Sequence, residues 1–148
     1  MAKKKDKYEA LKLDNQLCFP LYAASREIIN MYTPILSEIG LTYTQYITFM
    51  ALWENDGMTV GDLGKRLFLD TGTLTPILKK LELQGYLTRE RSSEDERVVI
   101  VKLTKKGFDL REECLDVPKK MSACVNLSLE DAADLYRLLY VLLGGNDK

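Results

Sequence analysis

The chain has 148 residues, 46% hydrophobic and 29% charged, enough for one domain with a real core. It contains no histidine, which removes Ser-His-Asp and Cys-His catalysis, histidine metal sites and histidine pH switches together. Cys18, Cys114 and Cys124 lack the pair spacing of a disulfide framework or a C-x-x-C site, so no metal and no cofactor is expected. No apolar run approaches the roughly 20 residues that span a bilayer, and no cleavable leader is visible. A cytoplasmic setting without a membrane partner is expected.

Residues 1–10, with Lys3, Lys4, Lys5 and Lys7, read as a mobile basic arm. From Leu13 the apolar series Leu13, Leu17, Leu21, Ala24, Ile28, Tyr32, Ile35, Ile39 advances in steps of four and three. That spacing predicts one long amphipathic helix ending at Gly40, with Pro20 near its start and a kink at Pro34. Thr42-x-x-Gln45 is a capping box for a second helix over 43–54, closed by Asn55-Asp56-Gly57. Thr59-x-x-Asp62 caps a short third helix ending near Leu67, and a fourth runs from Thr71 to Gln84 with Gly85 as its C-cap. The period then changes to that of strands over 86–91 and 98–103, with the polar hairpin tip 92–97 between them. One helix is predicted from Thr104 toward Pro118 and another after the cap Ser128-x-x-Asp131. The segment 121–127 has weak periodicity and reads as mobile.

Net charge is −1, but it is unevenly spread. Residues 79–106 carry eight Lys/Arg against five acids, whereas 107–148 carry five against eight. A basic middle suits a lobe that touches phosphates. Short helices followed by a charged hairpin make a winged helix-turn-helix, in a mainly α fold with one small β-hairpin (α+β). Its second short helix would enter the major groove and its hairpin would lie over the backbone or minor groove. The reading core, 41–103, is flanked by apolar-striped helices in 11–40 and 104–148. Those stripes need a surface to pack on, which a two-fold homodimer supplies; the alternative is a larger monomeric core.

Several blocks stand in the order seen in MarR-family regulators: Leu13–Phe19 (LDNQLCF), Leu41–Tyr46, Leu52-Trp53-Glu54, Leu69–Lys79 and Asp95-Glu96-Arg97. More narrowly, the chain resembles the organic-hydroperoxide-sensing repressors called OhrR, over about residues 11–143. The resemblance implies a homodimeric repressor that leaves double-stranded operator DNA when one N-terminal cysteine is oxidised by an organic hydroperoxide. On that reading it is not an enzyme.

Thr71, Thr73, Thr75 and Lys79 would contact phosphates or base edges from the reading helix, although the threonines equally suit helix capping. The resemblance implies that Asp95 orients Arg97 into a narrow minor groove while Arg89 and Arg91 approach the backbone. A plain surface ion pair is the alternative at the tip.

Cys18 is the candidate sensor. It lies near a helix start, where amide dipoles favour a thiolate, and Tyr22 falls one turn on along the same face. Tyr32 returns to that face roughly 21 Å along the axis, so only an antiparallel partner helix would bring it to Cys18. The resemblance agrees, implying that Tyr32 and Tyr43 hydrogen-bond the reactive sulfur across subunits. After oxidation, relatives either form a mixed disulfide with a low-molecular-weight thiol or bridge to a C-terminal cysteine; here Cys124 is the resolving candidate and Cys114 reads as packed. Pro20, two residues past Cys18, departs from the pattern. If Pro20 is the first helical position, Cys18 lies just outside the helix. A regulator released by a small phenolic or fatty ligand, with Cys18 incidental, is the alternative. A thiol peroxidase is a third reading, though no general base accompanies Cys18.

Overall fold

A computed structural model describes residues 7–144, and all but residues 1–6 of the expected basic arm lie within it. Residues Glu9–Leu11 and Leu13–Asn15 form two 3-10 turns rather than the first turns of a long helix. The Asn15 and Gln16 side-chain amides donate back to the Glu9 and Ala10 carbonyls, at 2.8 and 2.5 Å, and hold the chain in that folded-back path. Helix α1 (Cys18–Ser37) therefore starts five residues later than the apolar spacing predicted. Cys18 is its first residue and Pro20 its third, a position where a missing N–H leaves no helical bond unmade. The helix continues through Pro34.

The cap-based predictions hold in the reading core. Helix α2 (Tyr43–Glu54) opens on the reciprocal Thr42–Gln45 capping box. Strand β1 (Met58–Thr59) follows, a two-residue element that the sequence reading missed. Helix α3 (Val60–Leu67) is capped by Thr59, and α4 (Thr71–Leu83) by Asp70, whose carboxylate accepts the Thr73 N–H at 2.7 Å. Gly85 takes φ +80° after α4, the left-handed turn a C-terminal glycine provides. Strands β2 (Leu87–Arg91) and β3 (Val99–Leu103) pair antiparallel with Leu87 opposite Leu103 and Arg91 opposite Val99. β1 pairs on the other side of β3, so the sheet order is β1-β3-β2.

Helix α5 (Lys105–Glu113) stops at Cys114. The single helix expected up to Pro118 is thus two. A new helix, α6 (Val117–Cys124), takes Pro118 into its first turn, where proline starts a helix as readily as it ends one. The segment 121–127, weakly periodic in sequence and expected to be mobile, is helical as far as Cys124. Helix α7 (Leu129–Leu142) follows the Ser128–Asp131 cap as predicted.

The first unit, through Val117, holds a core in which Leu36, Phe49, Leu52, Leu63, Leu74, Leu78, Leu81 and Val101 are fully buried. Phe49 stacks on Trp53 and meets Tyr86 edge-on, with centroids at 5.6 and 5.4 Å. The Trp53 indole N–H donates to the Gly107 carbonyl at 2.9 Å, tying α2 to α5. At Gly107 a Cβ would come within 2.2 Å of the Tyr86 carbonyl oxygen, so α5 sits against the wing base at a distance only glycine allows. In the same unit Phe19, Leu21, Tyr22 and Ile29 of α1 are exposed. The second unit, from Pro118, contains α7, which has no buried residue and exposes Leu129, Leu135, Leu138, Val141 and Leu142.

Candidate nucleic-acid interface and thiol site

Helix α4 and the wing line a shared concavity. A concavity of 470 Å³ is lined by Thr71, Thr75 and Leu78 of α4, by Arg89, Arg97, Val98 and Val99 of the hairpin, and by Thr59, Val60 and Gly61 where α3 begins. Four of the predicted contact residues thus share one surface: Thr71, Thr75, Arg89 and Arg97. Thr73 is spent on its cap, with its hydroxyl donating to Asp70 at 3.1 Å, and the Thr75 hydroxyl donates to the Thr71 carbonyl at 2.7 Å. Both hydroxyls still have lone pairs to accept with. Thr71, Thr73 and Lys79 are exposed.

At the wing tip, Asp95 accepts the Arg97 backbone N–H at 3.0 Å, its Nε at 3.1 Å and its Nη2 at 3.3 Å. The pairing expected of Asp95 and Arg97 is therefore present, and it fixes the direction of a side chain that is 90% exposed. The Arg97 side chain, with the backbone N–H, holds the Asp95 carboxyl below the usual carboxylate range. Arg91 donates to the Glu96 carbonyl at 2.8 Å, which braces the tip from the strand.

Arg89 stands differently from Arg91 and Arg97. Its guanidinium is engaged by Glu82 of α4 at 3.0 and 2.8 Å, and its backbone N–H donates to the same carboxylate at 2.9 Å. These bonds hold the Glu82 carboxyl below its ordinary value, the Arg89 side chain contributing most. Neither Glu82 nor the cap Asp70 was singled out from the sequence. An acid three residues before Thr73, and an acid–arginine pair straddling the Gly85 turn, were the available signals.

The thiols fall into two environments. Cys18 is exposed at the first position of α1, where the four opening amides of a helix have no helical acceptor. Tyr22 is exposed and accepts from Arg26 at 3.4 Å, with that guanidinium 5.5 Å from its ring centroid. Tyr32 and Tyr43 do not join Tyr22 but form a separate cluster, with ring centroids 4.7 Å apart and Tyr46 at 5.9 Å from Tyr32. Burial raises the phenols of Tyr32 and Tyr43, the neighbouring Tyr43 adding to Tyr32. Tyr46, which the sequence reading passed over, is pushed up to about 12, chiefly by burial and then by Tyr32. Cys114 is buried at the C-terminal cap of α5, and burial pushes its thiol up to about 11, with Glu113 adding. Cys124 is exposed at the end of α6, its thiol donating to the Lys120 carbonyl at 3.4 Å.

Residues 30–114 match the family model of the SarA/Rot transcriptional regulators. Over 138 residues, 93% of this chain and 94% of the relative, the chain is 46% identical to the organic hydroperoxide resistance transcriptional regulator of Bacillus subtilis. The chain belongs to the MarR family of winged-helix transcriptional regulators. Its MarR-type fold also superposes on AbfR of Staphylococcus epidermidis. The overoxidised, DNA-bound form of AbfR is 36% identical with TM-score 0.75, covering 94% of this chain and 98% of that one. The disulfide form gives 0.59 at the same identity, covering 93% and 92%. MarR-family members of this kind are regulators rather than enzymes. Among the described residues, no helix is long and apolar enough to cross a membrane, and no cluster of metal-ligating side chains occurs.

Proposed function

We propose that this MarR-family chain is a homodimeric, DNA-binding repressor that senses organic hydroperoxide through Cys18 and then releases its operator. The observation that carries the proposal is the 46% identity to a hydroperoxide resistance regulator across nearly the whole chain, with a free, exposed cysteine at the start of α1. AbfR, solved reduced and overoxidised on DNA and in a disulfide form, supports a redox-responsive DNA binder.

In the proposed chemistry the Cys18 thiolate attacks the outer peroxide oxygen. The O–O bond breaks, sulfur is oxidised to sulfenic acid, and the hydroperoxide is reduced to its alcohol with one proton taken up. The sulfenic acid then condenses with a second thiol, losing water and forming a disulfide; that thiol is Cys124 of the partner subunit or a low-molecular-weight thiol. The neutral hydroxyls of Tyr32 and Tyr43, presented by the partner protomer, would donate to the sulfur before oxidation. On the DNA side, α4 enters the major groove with Thr71, Thr73, Thr75 and Lys79, and the wing brings Arg97, oriented by Asp95, to the minor groove. Helical apolar faces such as that of α7, in the regions 11–40 and 104–148, would be covered by the second copy.

The test is operator binding, by fluorescence anisotropy on promoter DNA from the chain's own gene neighbourhood, before and after addition of cumene hydroperoxide. Wild-type protein should bind and be released, whereas Cys18→Ser should bind and stay bound. Release of Cys18→Ser at the wild-type rate would move sensing away from Cys18, and release by a phenolic or fatty ligand alone would favour a ligand-controlled regulator.

A further inference from the structure

A part-buried ion pair joins the wing to the end of α4, beside the backbone bond from the Tyr86 N–H to the Leu81 carbonyl and the Thr104 hydroxyl on the Gly85 carbonyl. Glu82 lies in the last turn of α4 and Arg89 on β2, seven residues later across the Gly85 turn. One carboxylate oxygen takes the Arg89 Nε and Nη2, and the other takes the Arg89 backbone N–H. The two side chains are 24% and 35% exposed, against 90% and 42% for Arg97 and Asp95 at the tip. This carboxylate therefore grips both the side chain and the main chain of the strand that begins the wing. A guanidinium so engaged has most of its charge answered within the protein and little left to offer a phosphate.

We propose that Glu82 is a positioning residue for DNA binding, clamping Arg89 so that the gap between reading helix and wing is set before DNA arrives. Arg89 then works through the clamp and not as a phosphate contact, unlike Arg97, which lines the same concavity with its side chain open to solvent. The proposal rests on the DNA-binding reading above. Its logic is preorganisation: backbone bonds hold the Gly85 turn itself, and the Glu82 bonds to Arg89 fix the first strand of the wing beyond it, so that less has to be ordered during binding at a cost in affinity.

Simple electrostatics and the clamp predict opposite signs. Removing a negative charge from a DNA-facing surface should tighten binding if Glu82 only repels phosphate. If Glu82 clamps, E82Q should weaken operator binding by about tenfold, because a charged, partly buried hydrogen-bonding network is lost. R89K keeps the charge but loses the fork, and should weaken binding to a similar degree; the E82Q/R89K double variant should be no worse than either single one. The slope of log affinity against log salt should stay at its wild-type value in all three. The measurement is anisotropy titration of full-length protein on operator and unrelated duplexes at several salt concentrations, beside thermal unfolding of each variant. Equal or tighter binding by E82Q overturns the clamp, as does wild-type binding by R89K together with a slope about one unit shallower in R89A, which would seat Arg89 on a phosphate. Should E82Q be unfolded at the assay temperature, R89K alone decides on the same criteria. Failure of the wild-type protein to bind any operator would remove the functional reading and the clamp together, an outcome distinct from a wild-type that binds and variants that do not weaken.

Discussion

Tyr32 of α1 and Tyr43 of α2 lie with their rings 4.7 Å apart, tilted by 47°, so α1 and α2 meet through two phenols. Both hydroxyls are neutral at ordinary pH, as phenols are, and burial raises them further. If they donate to the partner's Cys18, Tyr32→Phe and Tyr43→Phe should each slow peroxide-driven release by about tenfold, the worth of one hydrogen bond to a charged sulfur. Affinity of the reduced protein for DNA should be unchanged. Stopped-flow anisotropy with cumene hydroperoxide measures both quantities, and a wild-type release rate in both variants would detach the tyrosines from the sensor.

Oxidised protein should form a covalent dimer. One equivalent of hydroperoxide followed by non-reducing electrophoresis should give a dimer band that disappears in Cys124→Ser and persists in Cys114→Ser, whose buried thiol stays protonated. A monomer band throughout would leave a small thiol as the resolving partner.

Arg97→Ala should weaken operator binding by about 1–3 kcal/mol if its guanidinium reads a groove. Asp95→Ala should weaken it too, though it removes a negative charge, because three contacts that aim Arg97 are lost. Arg91→Ala should weaken all duplexes alike and flatten the salt slope by about one unit. Unchanged affinity for Arg97→Ala would reduce the wing to a surface hairpin.

The acid limit of the reading core follows from three carboxyls. Asp70, Glu82 and Asp95 all titrate lower in the folded chain than free, held down mainly by Thr73, Arg89 and Arg97 respectively. A depressed carboxyl adds stability that is present above its free value, about pH 4, and is lost as pH falls through the folded value. Thermal unfolding should therefore show no loss attributable to them at neutral pH and a progressive loss in acid below about pH 4. E82Q should shrink that acid dependence; an identical profile in wild type and E82Q would mean the carboxyl is not held by Arg89 in solution.

The second copy proposed to cover the apolar helical faces should be measurable directly. Sedimentation or light scattering at micromolar concentration should give twice the chain mass, and a monomer there would leave Leu135, Leu138 and Leu142 of α7 without a use.

Caps were the legible part of the fold. Thr42 with Gln45, Thr59 with Asp62 and Ser128 with Asp131 each place a specific acceptor against a specific amide, so short-range chemistry located α2, α3 and α7. Apolar spacing was a weaker guide. Leu13 and Leu17 continue the α1 stripe, but the bonds from Asn15 and Gln16 to carbonyls six residues back override it. Pro118 is ambiguous in sequence because a proline marks either end of a helix, and only the break at Cys114 decides which. β1 was invisible because two residues carry no alternation. In the site, Asp95 and Arg97 were legible as neighbours in sequence, while Glu82 and Arg89 become neighbours only once the Gly85 turn folds.

Gly107 has a genetic consequence. Any side chain there collides with the Tyr86 carbonyl, so α5 and the base of the wing would have to part. If the chain represses as proposed, a selection for derepressed mutants should return substitutions at Gly107 alongside those at Arg97, although Gly107 is buried. Thermal lability would tell the two classes apart: the arginine mutants should melt like the parent, and the glycine mutants should be temperature-sensitive.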